Sequence, residues 1–506
     1  MKPPKSRKAE LAANATGGKK SHAEAKCARA EGVGLPECEA RAAKRSQEAA
    51  SAEFKMTELG LIPVDWEVKR LGEICSEYAY GTGAESVDYD GKNKYIRITD
   101  IDEDSHLYSP STLVSPSFFS EGHIVKDNDL LVARTGASVG KTYFYSKRDG
   151  KLIFAGFLMK ANVKHAEGKF IFYWTLTDYY KRWVLSESAR SGQPGINIRQ
   201  LQSLLLPLPP LAEQRRIAGA LSDVDELISA LGKLIEKKRN IKTGAMQELL
   251  TGKTRLPGFG NPETQSLCAS VLKKDTEFED LDFNTETQRH EVTEFKMTEL
   301  GPMPKDWEVK RLGEIGESIR GVSFGPEQSS LTLMPNATML LRANNIQNNQ
   351  IVCQDVVYVV NECIADSQQL EKGDILICAA NGSRNLVGKA AAWRRAEAAT
   401  FGAFMAVFRC AQSVDSCFVE HLLLSRSYRR QLDDILTGSA INNLNARDIE
   451  GLAFAFPALA EQQAIAAVLS DIDAEIAALE ADRAKYERIK SGMMQELLTG
   501  KTRLEA

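Results

Sequence analysis

LAEQRRIAGALSDVDELISALGKLIEKKRNIKTGAMQELLT, Leu211 to Thr251, is one of two copies of the same stretch. The other, LAEQQAIAAVLSDIDAEIAALEADRAKYERIKSGMMQELLT, runs from Leu459 to Thr499, at a constant offset of 248 residues. Each follows a proline-bearing apolar run, LPLPP or FAFPA, and each leads into Gly-Lys-Thr-Arg-Leu. Matching repeats of this length outweigh every other signal in the chain. Ile217, Val224, Leu231 and Ala245 recur every seven residues in the first copy, with Lys238 as the polar exception. Ile465, Ile472, Leu479, Tyr486 and Met493 do so in the second. Leu227, Leu234 and Ile241, then Val468 and Ile489, are read as the partner row of this seam. An apolar spacing of 3.5 sustained this long predicts two coiled-coil helices. Gly252 and Gly500 stand where a C-terminal cap belongs. A helix of about 40 residues is roughly 60 Å long, close to the axial length of about 18 base pairs. Each helix is the natural partner of the other, and the residues alone permit a parallel or an antiparallel pair.

A second duplicated element precedes the helices. EFKMTELGLIPVDWEVKRLGEI begins at Glu53 and EFKMTELGPMPKDWEVKRLGEI at Glu294. Pro63 and Pro304 make turns, and Trp66 and Trp307 are candidate buried anchors. Between each lead-in and its helix lies a long insert. The two inserts differ in sequence but share an order of parts. A strand with polar residues comes first (Tyr95 to Ile101, Leu340 to Ile346). A buried strand running into a glycine loop follows (Asp129-LLVARTGASVGKT, Asp374-ILICAANGSRNLVGKA). Then come FAGFLMK from Phe154 or FGAFMAVF from Phe401, a helical stretch, and a polar turn before the last strand. Short apolar strands mixed with few helices predict α+β inserts. The predicted order is an N-terminal tail (1–52) with too few apolar residues to fold, an insert (53–207), a long helix (208–252), a polar, acidic linker (253–293), a second insert (294–456) and a second long helix (457–500).

Composition bounds the function. At 506 residues, 43% hydrophobic and 26% charged, the chain reads as a soluble protein of several domains. It has no apolar run long enough to span a membrane and no secretory leader. Its nine cysteines lack metal or disulfide spacing and suit a reducing cytoplasm. The net charge of −4 argues mildly against a DNA-binding role. Gly136-ASVGKT looks like a phosphate-binding loop, but three residues separate its glycines where the motif needs four, and Gly382-SRNLVGKA has five. Both are read instead as turns presenting Arg134, Ser138, Lys141, Arg384 and Lys389. No nucleophile, metal or methyltransferase motif is present, which describes a binding protein rather than an enzyme.

The insert loops are rich in side chains that read base edges: Arg for guanine, Asn and Gln for adenine, Ser and Thr for either. Arg97, Thr99, Gln193, Asn197 and Arg199 form the first set. Arg342, Asn344, Asn345, Asn381, Ser383, Arg384, Asn442, Asn443 and Asn445 form the second. Each is also an ordinary turn former; their recurrence at matching places in both inserts favours DNA reading. Glu213, Gln214 and the repeated MQELLTGK ending are read as a surface for partner proteins.

Taken together, Thr57-ELGLIPVDWEVKRLGEI, Leu130-LVARTGASVGK, Pro207-LPPLAEQRRIAGALSDVD and KTGAMQELLTGKTRLPGF resemble the specificity subunit of type I restriction–modification systems. The resemblance covers nearly everything from Thr57 to Leu504. It implies two target recognition domains, each reading one half of a bipartite DNA sequence. It also implies two conserved helices in an antiparallel coiled coil of pseudo-twofold symmetry that fixes the spacing and docks two methyltransferase subunits. Those partners carry S-adenosylmethionine and methylate a flipped adenine; restriction subunits bring ATP and Mg. The chain itself then has no catalytic residue, metal or cofactor. Two rival readings are a coiled-coil adapter with protein-binding inserts and a piece of a fused restriction–methylation enzyme.

Overall fold

The computed structural model describes residues 54–189, 194–259, 295–437 and 442–504. The expected tail (1–52), most of the expected linker and Gln193 lie outside the described residues. Contacts divide the chain into two compact units. One takes the chain up to Ser229 together with everything from Ala484; the other is Ala230–Arg483. These boundaries differ from a division into inserts and helices. Each unit combines one insert with the start of the helix that follows it and the end of the other long helix.

In the first unit a four-stranded antiparallel sheet runs in the order Cys75–Tyr80, Leu158–Val163, Asp129–Ala133, Thr142–Phe144. Every residue of Asp129–Ala133 is buried because the sheet is covered on both faces. Leu130 and Val132 pack under the helices with Phe170, Trp174 and Tyr180. Leu131 and Ala133 face a smaller core of Ile96, Leu152 and Phe154. Burial on both faces is why this strand reads as an unbroken apolar run rather than an alternating one. The second unit repeats the order with Gly316–Arg320, Met405–Cys410, Ile375–Cys378 and Ala390–Ala392. In both units a parallel pair lies beside this sheet, Lys94–Ile96 with Leu152–Phe154 and Ala337–Leu341 with Ala399–Phe401, and the second unit extends it with Val357–Val360 and Ser329–Ser330.

The long helices are Leu211–Leu249 and Leu459–Leu497, 39 residues each. Within each unit they pack antiparallel. In the second, Lys242 pairs with Asp473 at 2.6 Å, Lys238 with Glu475 at 3.0 Å and Arg239 with Glu480 at 2.5 Å; Lys242, farthest along the first helix, meets the earliest residue of the second. In the first, Lys490 pairs with Asp225 at 2.7 Å. The row of Ile217, Val224, Leu231, Ile465, Ile472 and Leu479 does face inward, Ile217 and Ile465 being fully buried. The partner row is corrected. Leu227, Leu234 and Ile489 are exposed, Ile241 and Val468 are half-buried, and the buried positions lie four residues on: Leu221, Ile235 and Leu249, then Leu469, Ile476 and Leu497. Positions three and four residues on both flank the seam. The inserts cover the latter, as the shared cores of insert and helix residues show.

Each helix start is clasped to the lead-in and to the end of the other helix. Trp66, fully buried, donates its indole N–H to Glu213 Oε2 at 3.2 Å. Arg503 donates to both Glu213 oxygens at 2.8 Å and to Asp65 at 2.9 and 2.7 Å. Trp307, Glu461, Arg255 and Asp306 repeat the arrangement in the second unit. Gln214 donates to the Pro209 carbonyl at 2.7 Å and accepts from the Glu167 amide at 2.9 Å; Gln462 does the same with Pro457 and Asp415. Gly500 and Gly252 end the helices at φ of +70° and +69°, and a Cβ on either would fall 2.4 or 2.6 Å from Pro63 or Pro304. Glycine is therefore required there for conformation and for space. The expectation that Glu213 and Gln214 form a surface for partners is corrected: they are 2% and 4% exposed and act inside the clasp. Of the repeated ending, only Gln247, Glu248 and Lys253, and Gln495, Glu496, Thr499 and Lys501, remain exposed.

Equivalent helices Gly168–Trp174 and Ser416–Leu422 rest on the long-helix pair, with one instructive difference. Tyr173 donates to Asp225 at 2.7 Å, beneath Lys490. His421 takes the place of Tyr173 in the second unit, facing Lys242, Asp473 and Arg394, and neither of its buried ring nitrogens has a hydrogen-bond partner. Burial, reinforced by Lys242, pushes its pKa down to about 4. A folded value below the unfolded one means that the unfolded chain takes up the extra proton. The neutral ring's contribution is fully present above roughly pH 6.5 and falls by ~3 kcal/mol as pH drops toward 4. His421→Tyr, which restores the first unit's hydrogen bond, is expected to remove that slope in urea unfolding compared at pH 7 and pH 5.

Candidate nucleic-acid interface

The glycine loop of the first unit joins Asp129–Ala133 to Thr142–Phe144. It is tied to the polar turn before the last strand. Thr135 bridges to Gly195, and the Arg134 carbonyl accepts from the Ile196 amide at 2.9 Å. This brings Arg134 and Asn197 to the edge of one open depression of about 270 Å³. The Arg134 guanidinium lies 4.7 Å over the Tyr80 ring. Asn197 caps the helix Ile198–Ser203 by accepting from the Gln200 amide at 3.1 Å, which leaves Arg199 exposed on the first turn. Ser138 is half-buried within the loop.

The second unit builds the same junction from different residues. Ala380 bridges to Asn443, the Asn381 amide donates to the Asn442 carbonyl, and Asn442 Nδ2 donates to the Gly382 carbonyl at 3.4 Å. Asn381 accepts from the Ser383 amide at 3.0 Å, and Asn445 caps Ala446–Glu450. Asn381, Ser383, Asn442, Asn443 and Asn445 are thus gathered at the glycine loop. Lys389, at the loop's far end, is half-buried.

Other expected readers serve the fold. Asn345 is fully buried; its Nδ2 donates to the Val352 and Gln354 carbonyls, and its Oδ1 accepts from the Arg342 amide. With its amide spent and no exposure it does not reach a base, and its assignment as a reader is corrected. Lys141 is likewise corrected: it is 9% exposed and its ammonium is paired with Glu103 at 2.7 Å. Arg97 is held bidentately by buried Asp100, the counterpart of Asn345. Because Asn carries no charge, Arg342 turns instead to the Asp355 carbonyl at 2.7 Å. Arg384 donates to the Asp433 carbonyl and the Thr437 hydroxyl. Thr99 and Asn344 stay exposed at equivalent positions.

Two exposed arginines escaped the sequence reading. Arg447 stands two residues past Asn445 as Arg199 does past Asn197, so aligning the two caps would have found it. Arg320 occupies the strand position of Tyr80, each lying opposite the second residue of the central strand, Ala406 or Met159. Among the described residues no group of His, Cys, Asp or Glu side chains is placed to hold a metal ion, and no helix is long and apolar enough to cross a membrane.

The comparisons with known proteins follow the duplication. The family described as the type I restriction modification DNA specificity domain matches residues 63–240 and again 304–490. The chain is 24% identical, over 88% of its length and 94% of the relative's, to the type I restriction enzyme MjaVIII specificity subunit of Methanocaldococcus jannaschii. It is 32% identical to the EcoKI specificity subunit of Escherichia coli, over 37% of this chain and 40% of that one. A crystal structure of the S subunit of a type I restriction-modification system from M. genitalium superposes with a TM-score of 0.53 at 13% identity, covering 88% of this chain and 98% of that one, and so shares the fold. Matched twice and over most of its length, the chain belongs to the type I restriction modification DNA specificity family, as a non-catalytic specificity subunit.

Proposed function

We propose that each unit reads one half of an asymmetric, bipartite DNA target and that the paired helices set the distance between the halves. The observation carrying this reading is a shared frame with unlike loops. The clasps, the sheet order and the helix caps with the arginine two residues on (Asn197 and Arg199, Asn445 and Arg447) repeat, while the groups gathered at the two glycine loops do not: Arg134 in one, Asn381, Ser383, Asn442 and Asn443 in the other. Frames that match and loops that differ suit two halves of unlike sequence. The same reading gives the chain two methyltransferase subunits as partners, which bring S-adenosylmethionine, and restriction subunits that bring ATP and Mg. It places the complex in the cytoplasm, on double-stranded DNA. Much of the phosphate contact then comes from the partners, which reconciles DNA binding with a net charge of −4.

Single-molecule mapping of methylated adenines in the host, with and without this chain, tests the reading. A two-part motif that vanishes with the chain is expected; an unchanged methylation map would refute it. A heptad inserted at matching points of both long helices adds about 10 Å, or roughly 3 base pairs of spacer; a spacer of unchanged length would end the ruler idea. Arg199→Ala is expected to relax one base position of one half-site by ~1–3 kcal/mol in competition binding. Equal loss on specific and random DNA would assign Arg199 to phosphate.

A further inference from the structure

The turns Ala155 to Leu158 and Gly402 to Met405 are one turn in two units. The Leu158 amide donates to the Ala155 carbonyl at 2.8 Å, and the Met405 amide to the Gly402 carbonyl at 2.8 Å. The third residue of each is phenylalanine, and the side chains of Phe157 and Phe404 stand 66% and 72% exposed. Turn positions of this kind ordinarily carry Gly, Asn, Asp or Ser. A lone exposed apolar residue needs no explanation. The same ring, at the same turn, in two inserts whose loops have otherwise diverged, does. Packing does not supply one, since neither ring joins a core cluster.

The surroundings say what the rings face. The Phe157 carbonyl accepts from the Arg134 amide at 2.9 Å, and the Phe404 carbonyl accepts from the Ala379 and Ala380 amides at 3.0 Å. Each turn is thereby fixed at the root of the glycine loop, beside the gathered polar readers. A cation accompanies each. In the first unit it is Arg134, stacked on Tyr80; in the second, Ala379 replaces that arginine and Arg320 replaces the tyrosine. The arginine has moved from the loop to the strand that pairs with the residues just after the turn.

We propose that Phe157 and Phe404 insert into the DNA duplex as apolar wedges against base faces, one in each half-site. Every base offers a π-face, so such a contact tolerates any sequence. Polar readers must change when the target changes, whereas a wedge need not, and that accounts for a constant ring among variable neighbours. Wedges of this kind partly unstack a base step, and the neighbouring arginine supplies the phosphate contact that holds the strand in place. The proposal rests on the DNA-reading function above.

The test uses the full chain assembled with its methyltransferase subunits, and duplex DNA bearing the mapped target with 2-aminopurine placed in turn along each half-site. The wild-type complex is expected to raise 2-aminopurine fluorescence at one step per half-site. Phe157→Ala should abolish the rise in one half-site and Phe404→Ala in the other, each with on the order of 10-fold weaker binding. Phe→Trp should restore both readouts. Since the rings are exposed, thermal melting should not change. Wild-type affinity and fluorescence in the alanine variants would overturn the proposal. So would loss of the methyltransferase subunits from the complex on size exclusion, which would assign the rings to protein docking. If the wild-type complex shows no preference for its mapped target over random duplex, the DNA-reading function itself fails, and the wedge with it.

Discussion

Glu461→Ala is expected to lower the unfolding free energy of the second unit by ~3–5 kcal/mol, the range for removing one member of a buried ion pair. Glu461 is 2% exposed and accepts three hydrogen bonds at once: two from the Arg255 guanidinium, one on each oxygen, and one from the Trp307 indole N–H. Alanine leaves the arginine, whose side chain is 10% exposed, with Asp306 alone, and leaves the indole N–H without an acceptor in a fully buried site. Urea unfolding followed by tryptophan fluorescence measures the loss. Glu461→Gln keeps an acceptor for Trp307 but not the charge, and should fall between. Glu213→Ala should cost less in the first unit, because the Arg503 side chain is 24% exposed and water takes over part of its solvation. A wild-type midpoint for Glu461→Ala would mean that apolar packing around Trp307, not the clasp, holds the helix ends.

The clasp also marks where sequence reading stopped. Duplication exposed the pieces, Pro-x-Asp-Trp, Leu-Ala-Glu-Gln and Gly-Lys-Thr-Arg-Leu, and the heptads exposed the helices. Nothing in a one-dimensional pattern says that Arg503 meets Asp65 across 438 positions. A charged, repeated motif on an amphipathic helix therefore read as an outer face. The misplaced partner row has a related cause. Apolar residues occupy positions three and four residues past the seam, and only the insert packed alongside decides which row is covered. At the loops, residue type was legible but destination was not. Asn345 and Asn381 both suit base reading by chemistry. One is consumed by the carbonyls of its own loop, while the other sits at the gathered junction. Phe157 and Phe404 recur within FAGFLMK and FGAFMAVF, but only the shared turn and its exposure single them out.

A fragment comprising residues 54–259 is expected to form a dimer. The end of the second long helix brings Leu497, Gly500 and Arg503, among others, to the first unit, and the first helix ends in the same residues, Leu249, Gly252 and Arg255. The fragment carries one clasp socket, built from Asp65, Trp66 and Glu213, and one matching helix end. A straight helix of 39 residues holds the two about 58 Å apart, so a single copy does not close on itself. Two copies running antiparallel satisfy both, each supplying Arg255 to the other's Glu213 and Asp65, and Lys242 to the other's Asp225 in place of Lys490. The partners of Lys238 and Arg239 are lost in this pairing, since Leu227 and Gly232 stand where the second helix has Glu475 and Glu480. Each of those pairs has at least one well-exposed member and contributes little. Sedimentation should therefore give a dimer for the fragment and a monomer for its Glu213→Ala, Arg255→Ala double variant. A folded monomer of the unsubstituted fragment at tens of micromolar would show that the two helix ends are not interchangeable, and that residues outside the clasp choose the partner.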